Sequence, residues 1–428
     1  MNLLVLLLEN LLFPFAALLV LARFLLSPRR RILLSLGEEL RERLGFLSSE
    51  QVRRLSRREV LWIHAASAGE VSACQGLLEA LRRLPKAPAV VFTCSTRAGR
   101  DRASSLRPDL AVLAPLDCFP AVSRFIRSSH PSALLVVETE LWPHMIELAF
   151  RRGLRLGLVN GRLSEEAFRR YRPFSPLARS FLKRFRSLGV QSEADRKRFL
   201  ALGAEPASLR VTGNMKYDRL ASTDPAQARQ VLESLGWQGT LFVAGSTHPM
   251  EEEILARAYF QARERHPGLK LVLAPRHVER SAQAAESLRR MGLSLVPWSS
   301  PSPGADCLLV DRLGVLPQLY ALASVSFVGG TLVPVGGHNL LEPAIAGSPV
   351  LFGPHTFHTE ETARLLEEAG CGFRVAGASE LSRLLQELLS DPGLSGLGEL
   401  ARRTAEGLKG ATQRTLDHLA PVLEPWGP

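Results

Sequence analysis

Two carboxylate-bearing segments stand where apolar runs end, and they are the first candidates for chemistry. Glu70 closes Ser67-Ala68-Gly69-Glu70, directly after the run Val60–Ala66. A carboxylate at the end of a strand can take a proton from a hydroxyl nucleophile. The same residues allow a simpler reading, because Ser67 and Glu70 have capping-box spacing. A helix dipole there would lower the Glu70 pKa, keeping it ionised but making it a weaker base. Glu138-Thr139-Glu140 follows the apolar run Ala133–Val137. Packing alone does not explain two carboxylates in that place, since buried charges need partners. One of them is open to ion pairing with an arginine, while Trp142 and Pro143 shape the turn. Lys216, in Gly213-Asn214-Met215-Lys216-Tyr217-Asp218 after Leu209–Thr212, could steady negative charge at a reacting phosphate or carboxylate, or could lie solvated. Asn160-Gly161-Arg162-Leu163-Ser164, after Arg155–Val159, brings further polar side chains to the same edge.

A second constellation lies in Ala323–His355, which reads as a strand (Val325–Val328), a glycine-rich turn (Gly329, Gly330, Gly336, Gly337), a helix over Leu340–Ala346 and a second strand (Pro349–Phe352). Glycines let the backbone approach a ligand closely, and free N–H groups at a helix start favour an anion such as a phosphate. Asn339 and Glu342 also fit a plain N-cap pair, and the GGHN tetrad is neither a dinucleotide nor a Walker fingerprint. Pro275-Arg276-His277 ends the strand Lys270–Leu273, and arginine suits bidentate phosphate recognition. Gly245-Ser246-Thr247-His248 ends another strand before a helix starting near Glu251. His248, His277 and His338 raise the question of a metal, but their spacing matches no metal motif, and hydrogen bonding to substrate or backbone is the preferred reading.

These residues need a scaffold that presents strand ends. From Val60 the chain alternates strand and helix: strands Val60–Ala66, Ala89–Thr93, Ala111–Ala114, Ala133–Val137, Arg155–Val159 and Leu188–Gln191, with helices such as Glu70–Arg83, Ala121–Ser128, Pro143–Arg151 and Glu193–Leu202. After a polar, proline-containing linker at Asp218–Ala226 a second series begins: Leu241–Ala244, Lys270–Leu273, Leu293–Val296, Cys307–Val310, Val325–Val328 and Val350–Phe352. The tail Leu381–Leu423 reads as helical. Such alternation predicts α/β domains with parallel sheets, ligands binding at the carboxyl ends of the strands. Two doubly wound domains with a cleft between them are the simplest solution for 428 residues.

The balance of 53 basic against 42 acidic side chains gives a net charge of +11, which points to an anionic partner. Nucleic acid ranks last, since no nucleic-acid-binding motif is present. The five scattered cysteines include no CxxC pair and suggest a reducing compartment with no disulfide framework. Asn2–Leu26 is mostly apolar and ends against Arg23, Arg29, Arg30 and Arg31, a length that suits a bilayer of ~30 Å hydrocarbon. Glu9, Asn10 and Pro14 interrupt it, so both a full span and a shallow or tilted anchor are expectations. No small-residue cleavage site follows, and the arginines place the rest of the chain on the cytoplasmic side. The basic helical stretch Leu33–Arg58 either presents a solvated face or lies on anionic headgroups.

Seven tracts in order, WIHAASAGE, VVETELWP, NGRLS, GNMKYD, AGSTHPMEEE, APRHVER and VGGTLVPVGGHNLLEP, resemble the 3-deoxy-D-manno-octulosonic acid (Kdo) transferases of lipid A assembly, over nearly the whole chain. The resemblance implies a GT-B fold, α/β with two Rossmann-like domains facing a cleft: an anchor over residues 1–27, an acceptor domain over 28–217, a CMP-sugar domain over 218–405, and a final helix over 406–428 packing back on the first domain. It implies transfer of Kdo from CMP-Kdo to a lipid A precursor with inversion, at the cytoplasmic face of the inner membrane beside an anionic surface, with no metal and no cofactor other than the donor substrate. It assigns the general base to Glu70 and transition-state stabilisation to Glu138 and Lys216. CMP contacts fall on Pro275 and Arg276, on Leu313, Gly314 and Val315, and on Asn339, Leu340, Leu341 and Glu342. Two positions depart from the family pattern. Val315 stands where a glutamate is common, so a backbone contact survives there and a side-chain contact does not. Met250 replaces a usual glycine. Another GT-B enzyme, such as a UDP-sugar lipid glycosyltransferase or a sugar-nucleotide epimerase, and a tethered binding protein with a dead cleft are the alternatives. The apolar N-terminus weighs against the epimerase, and the two crevice glutamates weigh against the dead cleft.

Overall fold

The computed structural model describes residues 33–56, 58–220 and 223–427, so the apolar run expected to anchor the chain lies outside the described residues. Among the described residues no helix is long and apolar enough to cross a membrane. The chain divides into two compact units, the first formed by residues 1–219 and 409–428 and the second by residues 220–408.

The first unit holds a seven-stranded sheet built from β1 (Val60–His64), β2 (Ala89–Cys94), β3 (Leu110–Leu113), β4 (Pro131–Val137), β5 (Arg155–Gly161), β6 (Phe185–Val190) and β7 (Leu209–Val211). Its order is β3-β2-β1-β4-β5-β6-β7, with every neighbour parallel. Helices on both faces explain why every residue of β1 and β2 is buried and why these strands read as continuous apolar runs rather than alternating ones. The order reverses between β1 and β4, and at such a switch point the loops leave in opposite directions and open a crevice at the carboxyl ends. Glu70 follows β1, and Glu138 follows β4.

The second unit repeats the plan with β8 (Leu241–Thr247), β9 (Lys270–Pro275), β10 (Leu295–Pro297), β11 (Cys307–Leu309), β12 (Val325–Val328), β13 (Val350–Phe352) and β14 (Gly372–Arg374). The order β10-β11-β9-β8-β12-β13-β14 is again parallel throughout, and its reversal lies between β8 and β12. Thr247 and His248 leave one side of that switch point, and the glycine turn leaves the other.

Several elements differ from the sequence reading. The helix expected over Glu70–Arg83 is two helices, Ala68–Ala73 and Gln75–Leu81, parted at Cys74. The helix expected over Leu340–Ala346 is only Leu341–Ile345, since Gly347 follows in the left-handed region (φ 86°) and closes it. The strand expected at Leu293–Val296 is Leu295–Pro297, and β14 has no counterpart in the sequence reading.

The helical tail is not one element. Helices Ala378–Ser390 and Leu394–Glu406 belong to the second unit, whereas Ala411–His418, Ala420–Leu423 and the turn Glu424–Trp426 belong to the first. The Asp218 carboxylate accepts from the N–H groups of Ala411 (3.0 Å) and Thr412 (2.5 Å), and Ser187 Oγ donates to the His418 carbonyl at 2.9 Å. Leu419, Val422, Leu423 and Trp426 then join the core beneath β1, β4 and β5, with Ile63, Leu135 and Val159. Gly157 makes room for them, as a Cβ there would come within 2.8 Å of Leu135 and Leu419. The last residues thus complete the core of the first unit. Trp426→Ala should lower stability by about 3–5 kcal/mol, the range for emptying a buried indole site; an unchanged denaturant midpoint would show that the tail is dispensable.

Candidate active site

The Glu70 carboxylate is held by the start of its own helix. Ser67 Oγ donates to Oε1 at 2.8 Å, the Ala66 N–H donates to Oε2 at 2.8 Å, and Ser67 Oγ in turn accepts from the Glu70 N–H at 3.3 Å. The capping arrangement is therefore present, with Ala66 rather than Ser67 supplying the backbone donor. Glu70 is 9% exposed, and burial pushes its carboxyl above the ordinary value. The Ser67 and Ala66 bonds pull it back, while the charges of Glu138 and Glu140 add to the rise. This reverses the expectation that the helix dipole would lower it: the helix has six residues, and removal from water outweighs its dipole. A carboxylate shifted in this direction is a stronger base than an exposed one.

Glu138 occupies the left-handed backbone region (φ 58°), and its N–H donates to the Val159 carbonyl at 3.0 Å. That conformation turns the chain sharply as it leaves β4. Lys216 Nζ lies 3.1 Å from Glu138 Oε1, so the ion pair is made with a lysine 78 positions away and not with an arginine. Glu140 accepts instead from the Trp142 indole N–H at 2.7 Å, and Thr139 Oγ1 donates to the Arg162 carbonyl. The carboxyl edge of the first sheet therefore gathers Glu70 and the Glu138–Lys216 pair, a proton acceptor beside a cation and a second carboxylate.

Below this edge His64 is fully buried, with Nδ1 2.9 Å from Thr93 Oγ1 and its ring edge-on to Trp142. Burial holds its pKa at about 4, so it is neutral at physiological pH and supports the floor of the site as an uncharged ring.

In the second unit a cavity of about 300 Å³ opens at the carboxyl end of the sheet. Its lining includes Pro275, Arg276, Leu313, Gly314, Asn339 and Glu342, six of the positions singled out for nucleotide contact, together with Arg312 and His338. Leu313 is 71% exposed at its rim. The other three do not present side chains to it. Val315 packs in the core with Leu319 and Tyr320, and Leu340 and Leu341 are buried, so these three could contribute backbone groups only. The Val315 side chain is buried in the core and does not line the cavity. Asn339 Oδ1 accepts from the Leu341 N–H at 3.1 Å, and its amide donates to Glu342 Oε1 at 3.2 Å. Burial raises the Glu342 pKa, against the pull of that bond and of the Arg276 charge.

Two of the three histidines are bound to one another. His248 Nε2 and His338 Nε2 are 2.8 Å apart, and His277 stands edge-on to His248. Burial lowers both pKa values, that of His338 to about 4 and that of His248 against the pull of the Glu251 charge, with the nearby charge of Arg276 among the lesser causes.

The glycine turn has an anion already, and the sequence reading did not find it. Glu251, 0% exposed, accepts from four backbone N–H groups: His248 at 2.9 Å, Gly330 at 2.7 Å, Thr331 at 3.0 Å and Leu332 at 2.9 Å. The N–H groups of Gly330, Thr331 and Leu332, in the turn whose glycines were expected to let the backbone approach a ligand, are therefore turned inward to a side chain from the start of the helix Glu251–Arg265. Met250, 66% exposed, takes the left-handed conformation (φ 74°) that brings Glu251 into place. A left-handed residue at this position accounts for glycine as an easier occupant. Nothing in the sequence links Glu251 to Gly330, which lies 79 positions away; the only local signal is a glutamate run directly after a strand end.

Glu251→Gln would set an amide NH₂ against two of those four N–H groups. Each unpaired buried donor costs roughly 1–3 kcal/mol, so the second unit should lose about 2–6 kcal/mol of stability, and amide exchange at Gly330, Thr331 and Leu332 should accelerate. Unchanged exchange at those three amides would refute the bracing role.

Residues 38–219 match the family model described as 3-deoxy-D-manno-octulosonic-acid transferase (kdotransferase). The 3-deoxy-D-manno-octulosonic acid transferase of Haemophilus influenzae is 32% identical over 406 residues, which cover 93% of each chain. That of Bordetella pertussis is 34% identical over 384 residues, covering 86% of this chain and 87% of its own. Among solved structures, UDP-GlcNAc 2-epimerase from Neisseria meningitidis bound to UDP-GlcNAc aligns with a TM-score of 0.58 at 15% identity, covering 85% of this chain and 100% of that one. At that identity the likeness concerns the fold alone: two parallel-sheet α/β domains. With its ordered motifs, its two switch-point sites and relatives matched over most of their length, the chain belongs to the 3-deoxy-D-manno-octulosonic acid transferase family and is a glycosyltransferase.

Proposed function

We propose that this chain is a GT-B transferase that passes a Kdo residue from CMP-Kdo to a hydroxyl of a lipid A precursor, with inversion at the anomeric carbon, in lipopolysaccharide core synthesis. The observation that carries the reading is the placement of a buried, upshifted carboxylate, Glu70, at the switch point of the first sheet beside the Glu138–Lys216 pair.

In this reading the Glu70 carboxylate removes the acceptor hydroxyl proton as the oxygen attacks the anomeric carbon. The new C–O bond forms as the bond from that carbon to the CMP phosphate oxygen breaks, and CMP departs with the electron pair. Lys216, steered by Glu138, offsets negative charge on the sugar acid and the breaking bond. Arg276 at the second-unit cavity takes the phosphate, for which a guanidinium fork is well shaped. Pro275, Leu313, Gly314, Asn339 and Glu342 would surround the nucleoside, with Val315, Leu340 and Leu341 contributing backbone only. No metal or further cofactor enters the scheme, because CMP leaves as an anion that a guanidinium can hold.

Glu70→Gln keeps the shape of the side chain and removes the base, so acceptor-dependent CMP release should fall by a factor on the order of 10² to 10⁴. The base must be ionised to act. Because the Glu70 pKa is raised, the wild-type rate should decline on acidification at a higher pH than an ordinary carboxylate would give, and the Gln variant should lack that limb. A variant with full turnover and the same acid limb would remove Glu70 from the mechanism.

We further propose that residues 1–27 hold the protein at the cytoplasmic face of the inner membrane, where an anionic surface meets the basic chain. The support is the apolar run Asn2–Leu26 with its flanking arginines. Deleting residues 1–27 should shift the protein from the membrane to the soluble fraction of lysed cells, and equal partitioning of the two forms would reject the anchor.

A further inference from the structure

Lys216 acts in this reading from the five-residue 3₁₀ helix Met215–Arg219, and a flexible side chain on so short an element needs something to aim it. Asn160 and Gln191 supply that. Asn160, the penultimate residue of β5, lies in the left-handed region (φ 54°), is 0% exposed, and accepts the Met215 N–H on Oδ1 at 3.0 Å. Gln191, just after β6, donates through Nε2 to the Asn160 carbonyl at 2.9 Å and accepts through Oε1 from Asn214 Nδ2 at 3.1 Å. Asn214 Oδ1 accepts the Lys216 N–H at 3.0 Å. The chain of bonds runs from the ends of β5 and β6 to the residue whose ammonium meets Glu138. Val159, adjacent to Asn160, also holds the Glu138 N–H, so both partners of the ion pair are referred to the same strand end.

Asn160 is an expensive choice if only the turn matters. Its Nδ2 is buried without a partner, which costs roughly 1–3 kcal/mol, and glycine would adopt the same backbone without strain. What asparagine adds is the acceptor for Met215. We infer that Asn160, with Gln191, is a positioning residue for Lys216: it contributes to the transfer step by fixing the start of the short 3₁₀ helix that carries the ammonium. This rests on the proposed role of Lys216.

The experiment compares Asn160→Gly, Lys216→Met and their double variant in the full-length protein, reading kcat and the KM for CMP-Kdo with a lipid A precursor as acceptor. Glycine keeps the left-handed turn and removes the acceptor together with the buried side chain that carries it. A misplacement of about 1 Å can cost on the order of 10²-fold, so kcat should fall between about 10- and 100-fold with little change in the donor KM. The double variant should be no slower than Lys216→Met alone, since Asn160 acts through the lysine. If Lys216→Met keeps its rate, the reading of the site fails. If Lys216→Met is slow while Asn160→Gly is not, or if the two losses multiply, the positioning inference fails. Gln191→Glu, which replaces the donor to the Asn160 carbonyl, should show a smaller loss with the same non-additivity and serves as the test should Asn160→Gly not fold.

Discussion

A single buried carboxylate organises the carboxyl end of the second sheet. Glu251 is fully buried, and an ion in that position survives only if its lone pairs are filled. Four main-chain N–H groups fill them, one from the loop after β8 and three from the turn after β12. The two strands flank the switch point, so the carboxylate ties both walls of the crevice together. Because three of the donors belong to the glycine turn, the shape of that turn follows from an internal anion. The cavity above it is left to Arg276, Arg312, His338, Asn339 and Glu342. Positive charge at this site therefore comes from guanidinium side chains, not from the turn.

The first sheet solves a related problem by different means. Its edge carries three acidic side chains, Glu70, Glu138 and Glu140, close enough to raise the Glu70 pKa together with burial. Each is held in its own way: Glu70 by its helix start, Glu138 by Lys216, Glu140 by the Trp142 indole. The division matters for proton transfer. Lys216 lies against Glu138, while desolvation raises the Glu70 pKa and so favours its accepting a proton. One edge thus holds a buried proton acceptor beside an ion pair.

Local patterns made much of this visible in advance. Apolar runs bounded by glycine, proline and polar residues marked most of the strands, and polar tracts following those runs marked Glu70, Glu138 and Lys216 at strand ends. Short elements escaped. The five-residue helix Leu341–Ile345 and the three-residue strand β14 are too brief for periodicity to register. The break at Cys74 is signalled only by Gly76 two residues on, which itself lies inside the second helix. Asn160 was visible as a polar residue at a sheet edge, but not as a left-handed one, because asparagine is compatible with either backbone.

The sequence by itself determined the alternation of strands and helices and the residues that stand at the strand ends, since both depend on neighbours a few positions apart. It also determined the family, through seven tracts in order. Tertiary structure alone decided who meets whom. Lys216 reaches Glu138 across 78 positions and Glu251 reaches Gly330 across 79, distances at which no local pattern operates. It also reversed the expected shift at Glu70 and turned the Val315 side chain into the core. The reason is the same in each case: the energy of a charge or a side chain is set by how much water the fold leaves around it, and that quantity exists only once the chain has closed upon itself.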